Sequence, residues 1–201
     1  MTIWNYLRIT LSAVSVGHKY AMIDPGFKYH ISVYMSWHSR RWPRRYVPPF
    51  LSPKDQEKQS AALRKSQKAY KKQQYFNRPP IAAYKTKRSN HISRALKLYH
   101  LSSISPNAAL AKKTGCTLAA LRKIVQKGEG AYYSSGSRPN QTPQSWGLAR
   151  LASALTAGKA AAVDFDILEK GCRPQGLAYK KATLARRQYK FGHGKTKKVK
   201  V

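Results

Sequence analysis

The sequence has few acidic residues. Asp and Glu total 7 against 39 Lys and Arg, so the formal net charge is +32. A small free domain normally carries a net charge of roughly 2–8, because a larger excess repels itself and attracts any polyanion. The shortage of acid therefore predicts a permanent counter-charge, which nucleic acid, an anionic membrane or acidic protein neighbours would supply.

Cysteine is also scarce. Cys116 and Cys172 are the two cysteines, they have no Cys-x-x-Cys spacing, and no histidine cluster accompanies them. This pattern is not typical of a metal site. We expect two buried thiols in a reducing compartment, with an internal disulfide as the alternative, and no metal or cofactor. An apolar run of about 18 residues, which a membrane-spanning helix needs, is missing from the sequence.

Patterns that carry catalysis are missing as well. Ser134, Ser135 and Ser137 have no histidine nearby, and the Gly-x-Ser-x-Gly pattern is absent. Asp164 and Asp166 would lie on one face of a strand, but in a chain so rich in Lys and Arg we expect them to pair with basic side chains. We therefore expect no catalytic residues, no small-molecule substrate and no enzyme activity.

Charge divides the chain into a neutral stretch, residues 129–172, and basic segments on either side. The charge division and the helical spacing of apolar residues between residues 90 and 190 together predict a mainly α fold: a small helical module, with one or two short strands, flanked by extended basic arms that are disordered in isolation. The predicted parts are an N-terminal extension (1–35), a basic proline-containing arm with one polar helix that Ser52 caps (36–89), the helical module (90–190) and a basic tail (191–201).

The first arm mixes arginine, aromatic residues and proline. Pro43, Pro48 and Pro49 favour extended chain. Two interpretations are open, because aromatic rings fill pockets on protein partners in scaffolds and stack on bases in single-strand binders. We predict that the arm binds a partner, with contacts from Arg40, Arg41, Trp42, Arg44, Arg45 and Tyr46.

A helix–turn–helix pattern follows in the module. Leu110, Gly115 and Leu121 fall where such a motif places its packing residues and its tight turn. The segment is either a helical hairpin that packs on its neighbours or a DNA-binding motif whose second helix enters a major groove. The nucleic-acid contacts that the second interpretation predicts are Thr117, Arg122 and Lys123.

A loop rich in serine, glycine and asparagine comes next. Gly128 is predicted to end the helix that begins after Thr117, and the chain from residue 130 to be extended before it enters the loop. We predict a rigid docking loop held by hydrogen bonds from side chains to the backbone; the alternative is an anion nest at the start of the next helix. The residues of the docking loop are Ser134, Ser135, Gly136, Ser137, Arg138, Asn140 and Trp146.

Residues 106–172 also carry an unusual series of motifs. The longest is Lys-Gly-Glu-Gly-Ala-Tyr-Tyr-Ser-Ser-Gly-Ser-Arg-Pro-Asn-Gln-Thr at 127–142, followed by Ser-Trp-Gly-Leu-Ala-Arg-Leu-Ala-Ser-Ala at 145–154. With these runs the chain resembles an uncharacterised family encoded by nucleocytoplasmic large DNA viruses, including those of algae, with relatives in large phages. Residues 1–34 depart from the pattern, so Met35 is an alternative start.

The resemblance implies a viral setting and brings no catalytic residues. We therefore expect a virion structural protein, a minor capsid protein on the inner side of the capsid, made in the host cytoplasm. Its expected partners are major and other minor capsid proteins, which it would cross-link, and an anionic inner membrane or the genome. The alternatives are a nucleic-acid-binding protein, either genome-condensing or a helix-turn-helix DNA binder, and an organellar ribosomal protein.

Overall fold

A computed structural model describes residues 42–192 and 198–199 of the chain. The predicted N-terminal extension, the alternative start at Met35, the arm contacts Arg40 and Arg41, and most of the basic tail lie outside these residues. All of the described residues belong to one compact unit.

Helices make up most of the described chain, which confirms the mainly α prediction. Among its helices, none is both long and apolar enough to cross a bilayer. A 3₁₀ turn at Lys190–Gly192 follows the last helix. In order, the elements are β1 (Trp42–Pro43), α1 (Pro53–Lys71), α2 (Asn90–Tyr99), α3 (Ala108–Thr114), α4 (Leu118–Ser134), α5 (Pro143–Leu155), α6 (Lys159–Val163), α7 (Phe165–Gly171), α8 (Leu177–Gln188) and β2 (Lys198–Val199).

Side-chain caps start α1, α4 and α5. The Ser52 hydroxyl accepts a hydrogen bond from the first turn of α1, and the Thr117 hydroxyl does the same for α4. At α5, Thr142 and Ser145 form a reciprocal capping box, with both bonds at 3.0 Å. Each cap satisfies a backbone N–H that the helix itself leaves unpaired.

The main core lies between α4 and α5, with α2, α7 and α8 packed around them. Leu121 and Ile124 on α4 meet Leu151 and Leu155 on α5, and all four side chains are fully buried. Tyr99 at the end of α2 donates its hydroxyl to the Leu155 carbonyl at 2.8 Å, and burial raises the pKa of this tyrosine. Burial of this kind is the dominant stabilising term in a small helical domain.

The predicted end of α4 at Gly128 is wrong, because the helix continues to Ser134. Gly128 lies at the crossing of α4 and α5, where a Cβ atom would come within 2.6 Å of the Gly147 Cα. A Cβ on Gly147 would come within 2.8 Å of the Val125 carbonyl oxygen. The two glycines therefore allow two helix backbones to approach closely, and neither is a helix stop.

The basic arm packs back on the module from residue 42 onward, which corrects its prediction as a free extension. Trp42 and Tyr46 are buried in a second small core with Val47 and Leu63, and Trp146 packs against this core. The two aromatic side chains are thus occupied within the chain, so the prediction that they insert into a partner is wrong.

Polar contacts fasten the same segment to α1. The Trp42 indole donates to the Ser60 hydroxyl at 2.9 Å, and the Gln59 amide donates to the Tyr46 carbonyl at 3.1 Å. Strand β1 also pairs antiparallel with β2, with Trp42 opposite Val199. These bonds explain why polar residues of α1 are buried, because each satisfies a group that the arm brings with it.

The two cysteines form a disulfide, so the prediction of two free thiols is wrong. Cys116 lies in the turn between α3 and α4, and Cys172 directly follows α7. The two residues face each other across a short antiparallel bridge, in which the Thr117 N–H donates to the Gly171 carbonyl at 2.8 Å. The disulfide links two segments 56 residues apart in the sequence.

Candidate nucleic-acid interface

Helices α3 and α4 form the corner that the helix–turn–helix pattern predicts. Gly115 ends α3 with a φ of 73°, a left-handed conformation that favours glycine. Leu110 on α3 and Leu121 on α4 are fully buried, so both predicted packing residues point into the main core. The corner is therefore anchored to the rest of the fold on its inner side.

The outer face of α4 carries the predicted contact residues. Arg122 and Lys123 are exposed, and no ion pair or ring contact of theirs occurs within the described residues. Thr117 is exposed in front of them, and its hydroxyl accepts from the Ala120 N–H at 3.3 Å. The structure thus brings the three predicted residues to the start of one helix, with the two cationic side chains open to solvent.

A groove beside the turn extends this basic surface. Lys112 from α3, Lys170 from α7 and Arg173 line it, together with the disulfide, and no carboxylate is among its lining residues in the described chain. Asp166 and Glu169 are exposed elsewhere on α7. Thr117 lines the groove and caps α4, so the groove adjoins the start of that helix.

The docking loop binds a segment of its own chain. The Asn140 amide accepts from the Ile81 N–H at 2.8 Å, and it donates to the carbonyls of Ile81 at 2.9 Å and Tyr84 at 2.8 Å. Ser137 is fully buried and accepts from the Arg78 guanidinium at 2.7 Å. Hydrogen bonds from side chains to the backbone do hold the loop, as predicted, and residues 78–84 occupy it.

Arg78 is the centre of this contact, and sequence reasoning missed it. Its guanidinium donates to the Tyr132 carbonyl at 2.9 Å and to the Ser66 hydroxyl at 3.1 Å, in addition to Ser137. It also lies 3.5 Å from the centroid of the Tyr132 ring. Burial lowers the pKa of this guanidinium. The hydrogen bonds and the contact with the Tyr132 ring compensate for the hydration that the guanidinium loses on burial.

The remaining residues of the loop divide between surface and core. Ser134, Ser135 and Arg138 are exposed. Gly136 is buried with a φ of 94°, and a Cβ atom there would come within 2.7 Å of a Leu63 methyl group. Trp146 packs edge-on against Tyr46, with 5.8 Å between the ring centroids. This side of the loop is therefore part of the second core, and only its exposed residues are free for a partner.

Asp164 has a structural role. It is fully buried, and the Arg150 guanidinium donates to both of its oxygens at 2.7 Å. The Lys127 ammonium lies 2.8 Å from the same carboxylate. The predicted pairing of Asp164 with basic residues is thus confirmed, and it joins α4, α5 and the start of α7.

Two of the predicted arm contacts stay exposed. Arg44 and Arg45 are exposed, and the Arg45 guanidinium lies 5.4 Å from the centroid of the Tyr46 ring. Phe50 is 73% exposed and stacks on Tyr84 with 6.1 Å between the ring centroids. These three side chains at the start of the arm are therefore accessible to a partner.

Comparison with known proteins adds a family. No curated protein and no solved structure matches the chain. The model of a family of unknown function (DUF5824) matches residues 43–173, which extend from β1 to the residue after Cys172 and include both the helix–turn–helix corner and the docking loop. Because this match covers more than half of the sequence, the chain belongs to this family of unknown function.

Proposed function

We propose that the chain is a non-enzymatic nucleic-acid-binding protein whose helix–turn–helix corner lies against the phosphates and groove of a duplex. One observation carries the proposal. The inner face of α4 is anchored by Leu121 and Ile124, while Arg122 and Lys123 project from its outer face without a partner in the described chain. This is the arrangement in which a second helix approaches DNA while the first helix supports it.

The charge of the protein supports the same proposal. A net charge of +32 needs an anionic partner, and a nucleic-acid backbone supplies one charge for about every 1.7 Å of duplex. Lys112, Lys170 and Arg173 add to the cations at the corner. The first seven residues of α4 include no Asn or Gln for bidentate contacts to adenine, so we propose binding dominated by phosphate contacts.

A salt titration tests the proposal. A labelled DNA duplex is titrated with the full chain at several salt concentrations, and fluorescence anisotropy gives the affinity. Each neutralised phosphate contributes about −0.9 to the slope of log affinity against log salt. The double variant Arg122→Gln/Lys123→Gln should therefore make the slope shallower by about 2 × 0.9, or about 1.8.

A second pair of cations provides the control. Lys87 and Arg88 are exposed just before α2, so Lys87→Gln/Arg88→Gln removes the same charge away from α4. This control should change the slope by less than half as much as the α4 variant. Equal effects of the two variants would refute the α4 interface, and a wild-type chain that does not bind duplex at low salt would refute the proposal as a whole.

A structural role in a virion is a second proposal, which rests on the resemblance to viral proteins and on the exposed arm. Arg44, Arg45 and Phe50 remain accessible on one segment, and together they suit an acidic, partly apolar neighbour such as a capsid subunit. Mass spectrometry of purified particles, separated into shell and core, tests this role. Recovery with the shell is expected, and recovery only with the core would contradict it.

A further inference from the structure

Three tyrosines form a cluster where α1 and α4 end. The chain turns sharply after α1 at Gln73, which has a φ of 59°. Tyr75 is thereby brought back edge-on against Tyr70 and Tyr133, with 6.1 and 5.0 Å between the ring centroids. Tyr70 and Tyr133 are themselves nearly parallel, with 5.9 Å between their centroids. The cluster therefore holds the Tyr75 ring in a fixed position.

Tyr75 remains 71% exposed even though both neighbouring rings touch it. An aromatic ring that is fixed on one side and open on the other is a preorganised surface for stacking, because little side-chain freedom is lost when a ligand binds. Burial and the neighbouring tyrosines raise the pKa of Tyr133.

Polar residues line a groove beside the cluster. The groove beside it is lined by the side-chain amides of Asn77, Gln126 and Gln144 and by the carboxylate of Glu129. Amide and carboxylate groups of this kind are hydrogen-bond partners for the edges of bases. The exposed lysines at the end of α1, at positions 68, 71 and 72, lie on other faces of the helix than Tyr70, and no cation is among the described residues that line the groove.

We propose that this groove binds an unpaired nucleobase stacked on the Tyr75 ring, while the rest of the strand continues toward Arg122 and Lys123 on α4. The inference rests on the proposed function, and it adds single-stranded nucleic acid to the ligands of the protein. An acidic peptide would also meet the cations of α4, but it would leave the Tyr75 ring face and the amides beside it without a binding partner.

The groove is continuous with the basic face of α4. Gln126 lies one helical turn beyond Arg122 on the same exposed side, and Tyr133 is two turns further along. At a rise of 1.5 Å per residue, Arg122 and Tyr133 are separated by about 16 Å along the helix. A strand that is held by the cations of α4 therefore reaches the tyrosine groove within a few nucleotides.

Three probes test the inference with the full chain: a short oligothymidylate, an abasic strand of the same length and a duplex. Wild-type protein should bind the oligothymidylate more tightly than the abasic strand. Tyr75→Ala should weaken oligothymidylate binding by about 5- to 150-fold, the range for loss of one stacked base. Tyr75→Phe keeps the ring and should stay within about twofold of wild type.

Phe50→Ala is the matched control, because Phe50 is as exposed as Tyr75 and lies on the arm. It should leave oligothymidylate binding unchanged, and Tyr75→Ala should leave duplex binding and the unfolding midpoint unchanged. Equal affinity of the wild type for the oligothymidylate and the abasic strand would overturn the inference. So would an equal loss for single strand and duplex in Tyr75→Ala, or displacement of the oligothymidylate by polyglutamate at equal charge.

The failure of this inference is distinct from failure of the proposed function. If Tyr75→Ala has no effect while Arg122→Gln/Lys123→Gln weakens duplex binding, the groove is refuted and the nucleic-acid interface stands. If the wild-type chain binds none of the three probes, the proposed function itself is refuted.

Discussion

Removal of the disulfide should destabilise the fold by several kcal/mol. The bridge between Cys116 and Cys172 closes a loop with a sequence separation of 56. In the chain-entropy model, a closed loop of about 57 residues removes about 14 cal/mol/K from the unfolded state, or about 4 kcal/mol at 25 °C. We expect the double variant Cys116→Ser/Cys172→Ser to lose about this amount, which is a large share of the 5–15 kcal/mol typical of a domain.

Urea unfolding of oxidised wild type, reduced wild type and the double variant measures the effect. The variant and the reduced protein should share a lower midpoint, and their m-value should be larger because the uncrosslinked chain exposes more surface on unfolding. Reductant should leave the double variant unchanged, which is the control. If oxidised wild type and the variant unfold within about 1 kcal/mol of each other, or if a thiol assay finds two free cysteines in the oxidised protein, the reasoning is refuted.

Three further substitutions test other contacts by the same unfolding assay. Arg78→Lys keeps a charge but cannot make all of the bonds of the buried guanidinium, so it should cost about 2–4 kcal/mol, whereas Arg88→Lys at the surface should cost almost nothing. Gly147→Ala forces a methyl group toward the α4 backbone and should cost about 1–3 kcal/mol; a neutral result would refute the close helix crossing. Asp164→Asn leaves Arg150 without its counter-ion and should cost about 3 kcal/mol, and a loss below 1 kcal/mol would show that the pair is not buried.

The docking loop shows how a surface motif acquires a different role in the folded chain. Its serines, glycine and asparagine were expected to receive a partner, and Ser137 and Asn140 instead receive residues 78–84 of the same chain. The aromatic residues of the arm follow the same pattern, since Trp42 and Tyr46 build the second core. The family match begins at residue 43, so this arm is part of the matched domain.

The starts of α1, α4 and α5 and the helix–turn–helix corner were determined by the sequence alone. Ser52, Thr117 and Thr142 each cap a helix through a backbone N–H three residues away, and Gly115 by itself makes the left-handed turn. Such signals involve residues within a single helical turn, so the structure that they favour does not depend on the tertiary context. The prediction of exposed Arg122 and Lys123 followed from this local pattern and the 3.6-residue period.

The partners of distant residues were decided only by the tertiary structure. Arg78 and Ser137 are 59 residues apart, the two cysteines are 56 apart, and Gly128 meets Gly147 across a helix crossing. The residues around a glycine do not show whether it ends a helix or lets a neighbouring helix approach closely. In the same way, the sequence around an arginine does not show whether its side chain is exposed or buried. What separates these cases is which surfaces come together when the apolar faces of α4 and α5 pack, because the free energy of that burial depends on the whole fold.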